Sequence, residues 1–156
     1  MKRPWNCRGI RSRLNRLPLK EISYPEGAPA WKMDKLVRPA TILIIEDHTS
    51  VRTLLALNLE DAGYQVCEAA DGRQGLERFR AQPVDLVITD LEMPEMNGLE
   101  VILELTRAFL DVKVIAMSGC SADELQKAKL LGARQTFPKP LDLEALLYAV
   151  QYELQH

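Results

Sequence analysis

The chain has 156 residues, room for one domain of ordinary size, and its 47% apolar and 27% charged residues exclude a disordered or fibrous protein. The formal net charge of −2 conceals a split: residues 1–38 hold ten Lys/Arg against three Asp/Glu, and residues 39–156 hold ten against nineteen. Such an acidic body excludes a nucleic-acid-binding fold, because phosphate backbones are repelled, and no apolar run reaches the length of a membrane span.

The basic segment 1–38 is expected to be a flexible extension. It has no continuous apolar stretch of the kind a secretory signal needs, and Pro4, Pro18, Pro25 and Pro29 interrupt any long amphipathic helix. The stretch beginning at Met33 (MDKLVRPATILII) reads as a natural start, so residues 1–32 can be an overlong reading frame or added sequence. A basic arm for nucleic acid or membrane ranks third. The three cysteines, Cys7, Cys67 and Cys120, form no CxxC pair and have no histidine at zinc spacing. Free thiols in a reducing cytoplasm are the expectation.

From residue 40, short β-rich runs alternate with longer helical ones. Thr41 to Ile45 is a continuous apolar run, as expected of a strand covered on both faces. A helix is predicted from Ser50 to Gly63, a C′ glycine. A weaker strand covers Tyr64–Ala69, and Asp71 caps a helix over Gly72–Ala81 that Pro83 stops. Val84–Asp90 is the third strand, Leu99–Phe109 a helix, and Val112–Met117 the fourth strand. Ser121–Leu131 is helical up to Gly132, Gln135–Phe137 is a short fifth strand, and Asp142 caps a last helix with its apolar stripe at Leu143, Leu146, Leu147, Val150 and Leu154. Five strand–helix units in alternation predict an α/β, doubly wound parallel sheet with helices on both faces.

In such sheets ligands bind beyond the carboxyl ends of the strands, where the strand order switches. Those ends carry Glu46 and Asp47, Asp90, Ser118 with Gly119, and Lys139 with Pro140. Crowded carboxylates repel one another unless a cation joins them. Hard oxygen donors without histidine or cysteine favour Mg²⁺. His48 is adjacent, but a single imidazole beside carboxylates reads more readily as a loop residue than as a ligand, and zinc is not supported. A carboxylate can also act as a nucleophile toward a phosphoryl donor, given a metal, a cation and a hydroxyl for the phosphoryl oxygens. Asp90, Lys139 and Ser118 supply the nucleophile, cation and hydroxyl.

Residues 40–154 resemble the receiver domain of two-component response regulators. The likeness is carried by Ile44, Ile45, Glu46 and Asp47, by the nine-residue run DLEMPEMNG from Asp90 to Gly98, by Ala116 to Gly119, and by Pro138 to Leu141. The resemblance implies a flavodoxin-like sheet of order 2-1-3-4-5 across residues 39–156. It implies Asp90 as the phosphoacceptor, Asp47 as a direct Mg²⁺ ligand, Glu46 acting through a water, and the Glu92 backbone carbonyl completing the metal set. Ser118 matches the switch hydroxyl and Lys139 the phosphoryl-pairing lysine, with a cis bond before Pro140. Met93, Pro94, Asn97 and Gly98 would build the adjoining turn.

Two departures stand out. Thr136 occupies the position where many receivers carry an aromatic switch residue, with Phe137 beside it. Glu92 and Cys120 lie two residues beyond the phosphoacceptor and the switch hydroxyl, where the family tunes dephosphorylation. Cys120 is a weak candidate for a redox sensor, because nothing in the sequence lowers its pKa. Tyr148 and Tyr152 fall off the apolar stripe of the last helix and read equally as half-buried surface or as part of an output face.

The resemblance implies a signalling protein of a histidine-to-aspartate phosphorelay, cytoplasmic and not an enzyme, that labels itself on Asp90 from phosphohistidine or a small phosphodonor. No second domain follows His156 in the sequence, which reads as a stand-alone receiver. Its partners would be a sensor histidine kinase or histidine phosphotransfer protein and a downstream protein target, with no direct nucleic-acid contact by the folded domain. An effector switch and a phosphoryl shuttle both remain open. The competing classes are a pseudo-receiver that binds partners without phosphorylation and, less favoured, a Mg²⁺-dependent aspartyl-phosphate phosphohydrolase. The latter usually carries an acid where Glu92 stands, and a cap insertion that is missing here. Removing residues 1–32 is expected to leave phosphoryl labelling unchanged, since every motif lies beyond Met33; a large drop would make the extension part of the domain.

Overall fold

The computed structural model describes residues 39–156. The expectations for residues 1–38, including a start at Met33, lie outside them. Five strands, β1 (Thr41–Ile45), β2 (Gln65–Ala69), β3 (Leu86–Asp90), β4 (Val114–Ser118) and β5 (Gln135–Pro138), alternate with five helices. The helices are α1 (Thr49–Asp61), α2 (Gly72–Ala81), α3 (Gly98–Ala108), α4 (Ala122–Leu131) and α5 (Leu143–Gln155). All neighbouring strands pair in parallel, in the order β2-β1-β3-β4-β5. The predicted α/β architecture and strand order are those observed.

The burial of β1 explains its unbroken apolar run. Leu43 and Ile45 face a core shared with Leu76 and Phe79 of α2, Val101, Ile102 and Leu105 of α3, and Ala128 of α4. Ile42 and Ile44 face the other side, against Leu55 and Leu59 of α1 and Leu146 and Val150 of α5. The alternation of side chains along a strand splits one sequence run between two cores. Each fully buried Leu or Ile contributes roughly 2 kcal/mol.

Boundaries follow local chemistry. Asp71, Asn97, Ser121 and Asp142 each accept a bond from the backbone N–H three residues on, as capping side chains do. Gly63 and Gly132 adopt positive φ (100° and 117°) and end α1 and α4. The predicted third strand begins two residues early: Val84 and Asp85 lead into it, and the Asp85 carboxylate takes the Thr41 N–H at 2.8 Å instead. Strand β4 runs one residue further than predicted, to Ser118, and β5 one further, to Pro138. The Lys139–Pro140 bond is cis. Cys120 is an exposed free thiol, but Cys67 is disulfide-bonded, so the expectation of free thiols fails there. No helix among the described residues is long and apolar enough to cross a membrane.

Candidate functional site

Parallel strands end on one side, so the loops after β1, β3, β4 and β5 meet at a single edge. Register sets the alignment: Ile45 pairs with Thr89 and Asp90 with Met117. Glu46 and Asp90 therefore come side by side at the switch between β1 and β3. Both are buried, and Ser118 is buried beyond them.

Lys139 ties the pair together. Its Nζ lies 3.0 Å from Glu46 Oε2 and 3.3 Å from Asp90 Oδ2. Burial alone would lower the lysine pKa, but Glu46 and Asp90 outweigh it and hold the ammonium above its ordinary value. Asp90 is pushed up to about 6, first by burial and then by the Glu46 charge, against the opposing pull of Lys139 and a backbone hydrogen bond at Glu92. One ammonium does not neutralise this pocket.

Two buried oxygens make the deficit visible: Asp47 Oδ1 and Asp90 Oδ1 have no hydrogen-bond partner. An unpartnered buried carboxylate oxygen is costly. Oxygens of Glu46, Asp47 and Asp90, with a ring nitrogen of His48, all fall within 4.8 Å of one another. Orphaned hard donors at this spacing suit a divalent cation. Sequence reasoning reached the three carboxylates and set His48 aside. Its ring Nδ1 in fact lies 3.2 Å from Asp47 Oδ1 and 3.3 Å from Glu46 Oε1.

Ser118 does not face Asp90 directly. Its hydroxyl donates to Glu92 Oε1 at 2.8 Å, and the same oxygen accepts the N–H groups of Gly119 (2.6 Å) and Cys120 (2.7 Å). Sequence position had marked Glu92 for its backbone carbonyl and its place two residues beyond Asp90; nothing local foretold that its carboxylate crosses to the β4–α4 loop. Those bonds, the Ser118 hydroxyl first, hold the Glu92 carboxyl below its ordinary pKa. Glu92 in turn raises the Cys120 thiol, which makes Cys120 a poor thiolate at neutral pH. Gly119 leaves room beside this carboxylate: a Cβ there would sit 3.6 Å from Glu92 Oε1, an ordinary contact.

The neighbouring loop turns tightly. The Met96 N–H returns to the Pro94 carbonyl at 2.8 Å around Glu95, whose φ of 67° is rare for a side-chain-bearing residue. Arg52 of α1 donates to the Glu46 carbonyl at 2.8 Å and so holds the end of β1. Phe137 is partly buried against the α1/α5 core, while Thr136 is half-buried. Tyr148 and Tyr152 are both exposed, and Tyr152 stacks on His156 at 4.2 Å.

A carboxylate raised toward neutrality, a lysine against it, unpartnered oxygens for a cation and three donors around a nearby anion can together receive a phosphoryl group. Comparison with known proteins points the same way. Residues 42–151 match the family described as "Response regulator receiver domain". The chain is 34% identical over 111 residues to sporulation initiation phosphotransferase F of Bacillus subtilis, covering 70% of this chain and 90% of that protein. It is 31% identical over 141 residues to the CAI-1 autoinducer sensor kinase/phosphatase CqsS of Vibrio cholerae, covering 88% of this chain but only 21% of that relative's length. Among solved structures, chemotaxis protein CheY4 of Vibrio cholerae superposes with a TM-score of 0.69 at 30% identity, over 74% of this chain and 98% of CheY4.

Proposed function

The chain belongs to the response regulator receiver domain family of two-component phosphorelay signalling, and on that basis we propose that residues 39–156 form a receiver that is phosphorylated on Asp90 in the presence of Mg²⁺. The observation that carries the reading is the meeting of Asp90, Lys139 and the unpartnered oxygens at one strand edge. In the proposed step an Asp90 carboxylate oxygen attacks the phosphorus of a phosphohistidine or small phosphodonor. The bond from phosphorus to the leaving atom breaks, and the electron pair departs with the leaving group.

Each residue's part follows from its place. Glu46 and Asp47, with Asp90 and the Glu92 carbonyl, would hold Mg²⁺, which neutralises phosphoryl oxygens when bound. Lys139 pairs with the incoming group's charge and with Asp90. Ser118 donates its hydroxyl once Glu92 gives it up, and that release is how the β4–α4 loop would change shape. The donor is a sensor histidine kinase or a histidine phosphotransfer protein, in the cytoplasm, and a protein target reads the altered face, with exposed Tyr148 and Tyr152 as candidate contacts. Likeness to a named phosphotransferase keeps the shuttle reading beside the effector-switch reading. A receiver of this kind is a signalling protein and not a turnover enzyme.

The test is intact mass after incubation with acetyl phosphate. One phosphoryl group on the wild type, only with Mg²⁺ and absent from Asp90→Asn, is expected. A variant that still labels at the same site rejects the acceptor assignment, and no labelling under any condition favours a pseudo-receiver.

Glu92 yields a second expectation. Its carboxylate occupies three donors that an arriving phosphoryl group needs, and it adds a negative charge that repels the phosphodonor. Bonds to a charged group are worth about 1.5–3 kcal/mol each. Glu92→Ala should therefore speed labelling by acetyl phosphate by about tenfold, roughly 1.4 kcal/mol of barrier. An unchanged or slower rate would mean that Glu92 gives way at no cost.

A further inference from the structure

The metal centre proposed above is the starting point, and the question is which cations it selects. His48 is the N-cap residue of α1, yet its side chain makes no capping bond to the helix. Its backbone N–H bonds instead to Glu46 Oε1 at 3.2 Å, which draws the residue back over the strand end. The ring then sits against the carboxylates rather than over the helix, with Nδ1 toward Glu46 Oε1 and Asp47 Oδ1.

Lys139 does not contest that position. It holds the other Glu46 oxygen, Oε2, so the lysine and the imidazole approach opposite sides of one carboxylate. Asp90 Oδ1, buried and without a hydrogen-bond partner, remains for a cation beside Asp47 Oδ1, which faces the His48 ring. Opposite donors around a six-coordinate ion with bonds of about 2.1 Å stand about 4.2 Å apart. The four donors, all within 4.8 Å of one another, need to draw in by only a few tenths of an ångström. The imidazole is 68% exposed, so it has the freedom to make that adjustment and an open path for the ion.

We propose that His48 is a metal-selecting donor: it converts an all-oxygen Mg²⁺ site into a mixed oxygen–nitrogen site that favours imidazole-seeking divalent cations such as Co²⁺ and Ni²⁺. Mg²⁺ gains little from a nitrogen donor, because it sheds water reluctantly and is satisfied by carboxylates. Imidazole suits nickel, copper and zinc, whose affinities rise along the first row. Removing the ring therefore weakens the transition metals and leaves Mg²⁺ nearly untouched.

The experiment uses the full-length chain without a histidine tag, in a Cys120→Ser background so that the exposed thiol contributes no donor. Ni²⁺ and Mg²⁺ affinities are measured by titration calorimetry for this protein and for His48→Ala, and pulsed electron paramagnetic resonance is recorded with Mn²⁺. The expected result is a loss of about tenfold or more in Ni²⁺ affinity with a Mg²⁺ change below about twofold. A nitrogen coupling to Mn²⁺ should be present before the substitution and gone after it. Asp90→Asn should also weaken Ni²⁺, which separates this site from the sequence's other histidine, His156.

Equal changes for both cations, or Mn²⁺ with no nitrogen coupling, overturn the proposal while leaving Mg²⁺-dependent labelling of Asp90 intact. Failure of the parent protein to bind any divalent cation overturns it together with the metal part of the proposed function.

Discussion

Gly98→Ala is expected to destabilise the domain by about 3 kcal/mol and to lower its melting temperature by roughly 10 °C or more. A Cβ at Gly98 would stand 2.1 Å from the Asp90 carbonyl oxygen, 2.8 Å from Leu91 Cα and 2.9 Å from the Asp90 carbonyl carbon. Every obstacle is backbone, so no side chain can swing aside. The Gly98 N–H also bonds to the Leu91 carbonyl at 3.1 Å, which fixes the first turn of α3 against the end of β3. Relief requires moving either that helix or the acceptor residue itself. Phosphoryl labelling should fall further than the loss of folded protein explains.

Gly75→Ala is the internal comparison. There the added Cβ meets the Ile45 side chain, Cδ1 at 2.3 Å and Cγ1 at 2.7 Å; this buried, β-branched residue must repack, but no backbone has to move, so a smaller cost of about 1–2 kcal/mol is expected, with labelling retained. Thermal melts and labelling of both variants check the contrast. Equal costs at the two positions would remove the backbone clash as the reason Gly98 must be glycine.

The second large effect is a gain. Asp90→Asn should be more stable than the wild type by about 2 kcal/mol at pH 7 without metal. The Asp90 carboxyl rises from its ordinary 3.8 to about 6 in the folded protein, so its charged form is disfavoured there relative to the unfolded chain. Between those values the native state binds the extra proton. Wild-type stability therefore falls as pH rises from about 4 to about 6 and stays low above that. Asparagine carries no such charge, so the gap opens across that window and closes below it.

Mg²⁺ should close the gap from the other side. A cation at 100 times its dissociation constant stabilises the folded wild type by about 2.7 kcal/mol, and a variant lacking one carboxylate gains less. Melting temperatures of both proteins at pH 4 and pH 7, with and without Mg²⁺, provide the measurement. An Asn variant less stable than the wild type at pH 7 without metal would show that Lys139 already neutralises the pocket.

How much of this was legible in the sequence follows from the range of the forces involved. Capping by Asp71, Asn97, Ser121 and Asp142 and the glycine ends of α1 and α4 act within one helical turn, and the element pattern conveys them directly. Only Asp71 and Asp142 can be placed at their caps in advance; Ser121 reads as the first helical residue and is in fact the cap. The unbroken apolar run of β1 and the strand–helix alternation determine the doubly wound sheet, because only a parallel sheet covered on both faces buries such a run. That sheet in turn assigns Glu46, Asp47, Asp90, Ser118 and Lys139 to one edge.

Tertiary structure alone decided which of those residues touch. Ser118 serves Glu92 and not Asp90, because a carboxylate two residues past the strand end can reach the amides of a loop 26 residues away. Sequence spacing carries no information on a contact that depends on side-chain reach across two strands. The same holds for His48: adjacency to two carboxylates left its direction open, and the bond from its own N–H to Glu46 decided it. It holds also for Gly98, which reads as an ordinary turn glycine until the Asp90 carbonyl is found 2.1 Å from where its side chain would begin. Local chemistry determined the elements and the edge on which the site lies. Long-range packing decided which anion fills the phosphoryl-binding donors and which ring faces the metal.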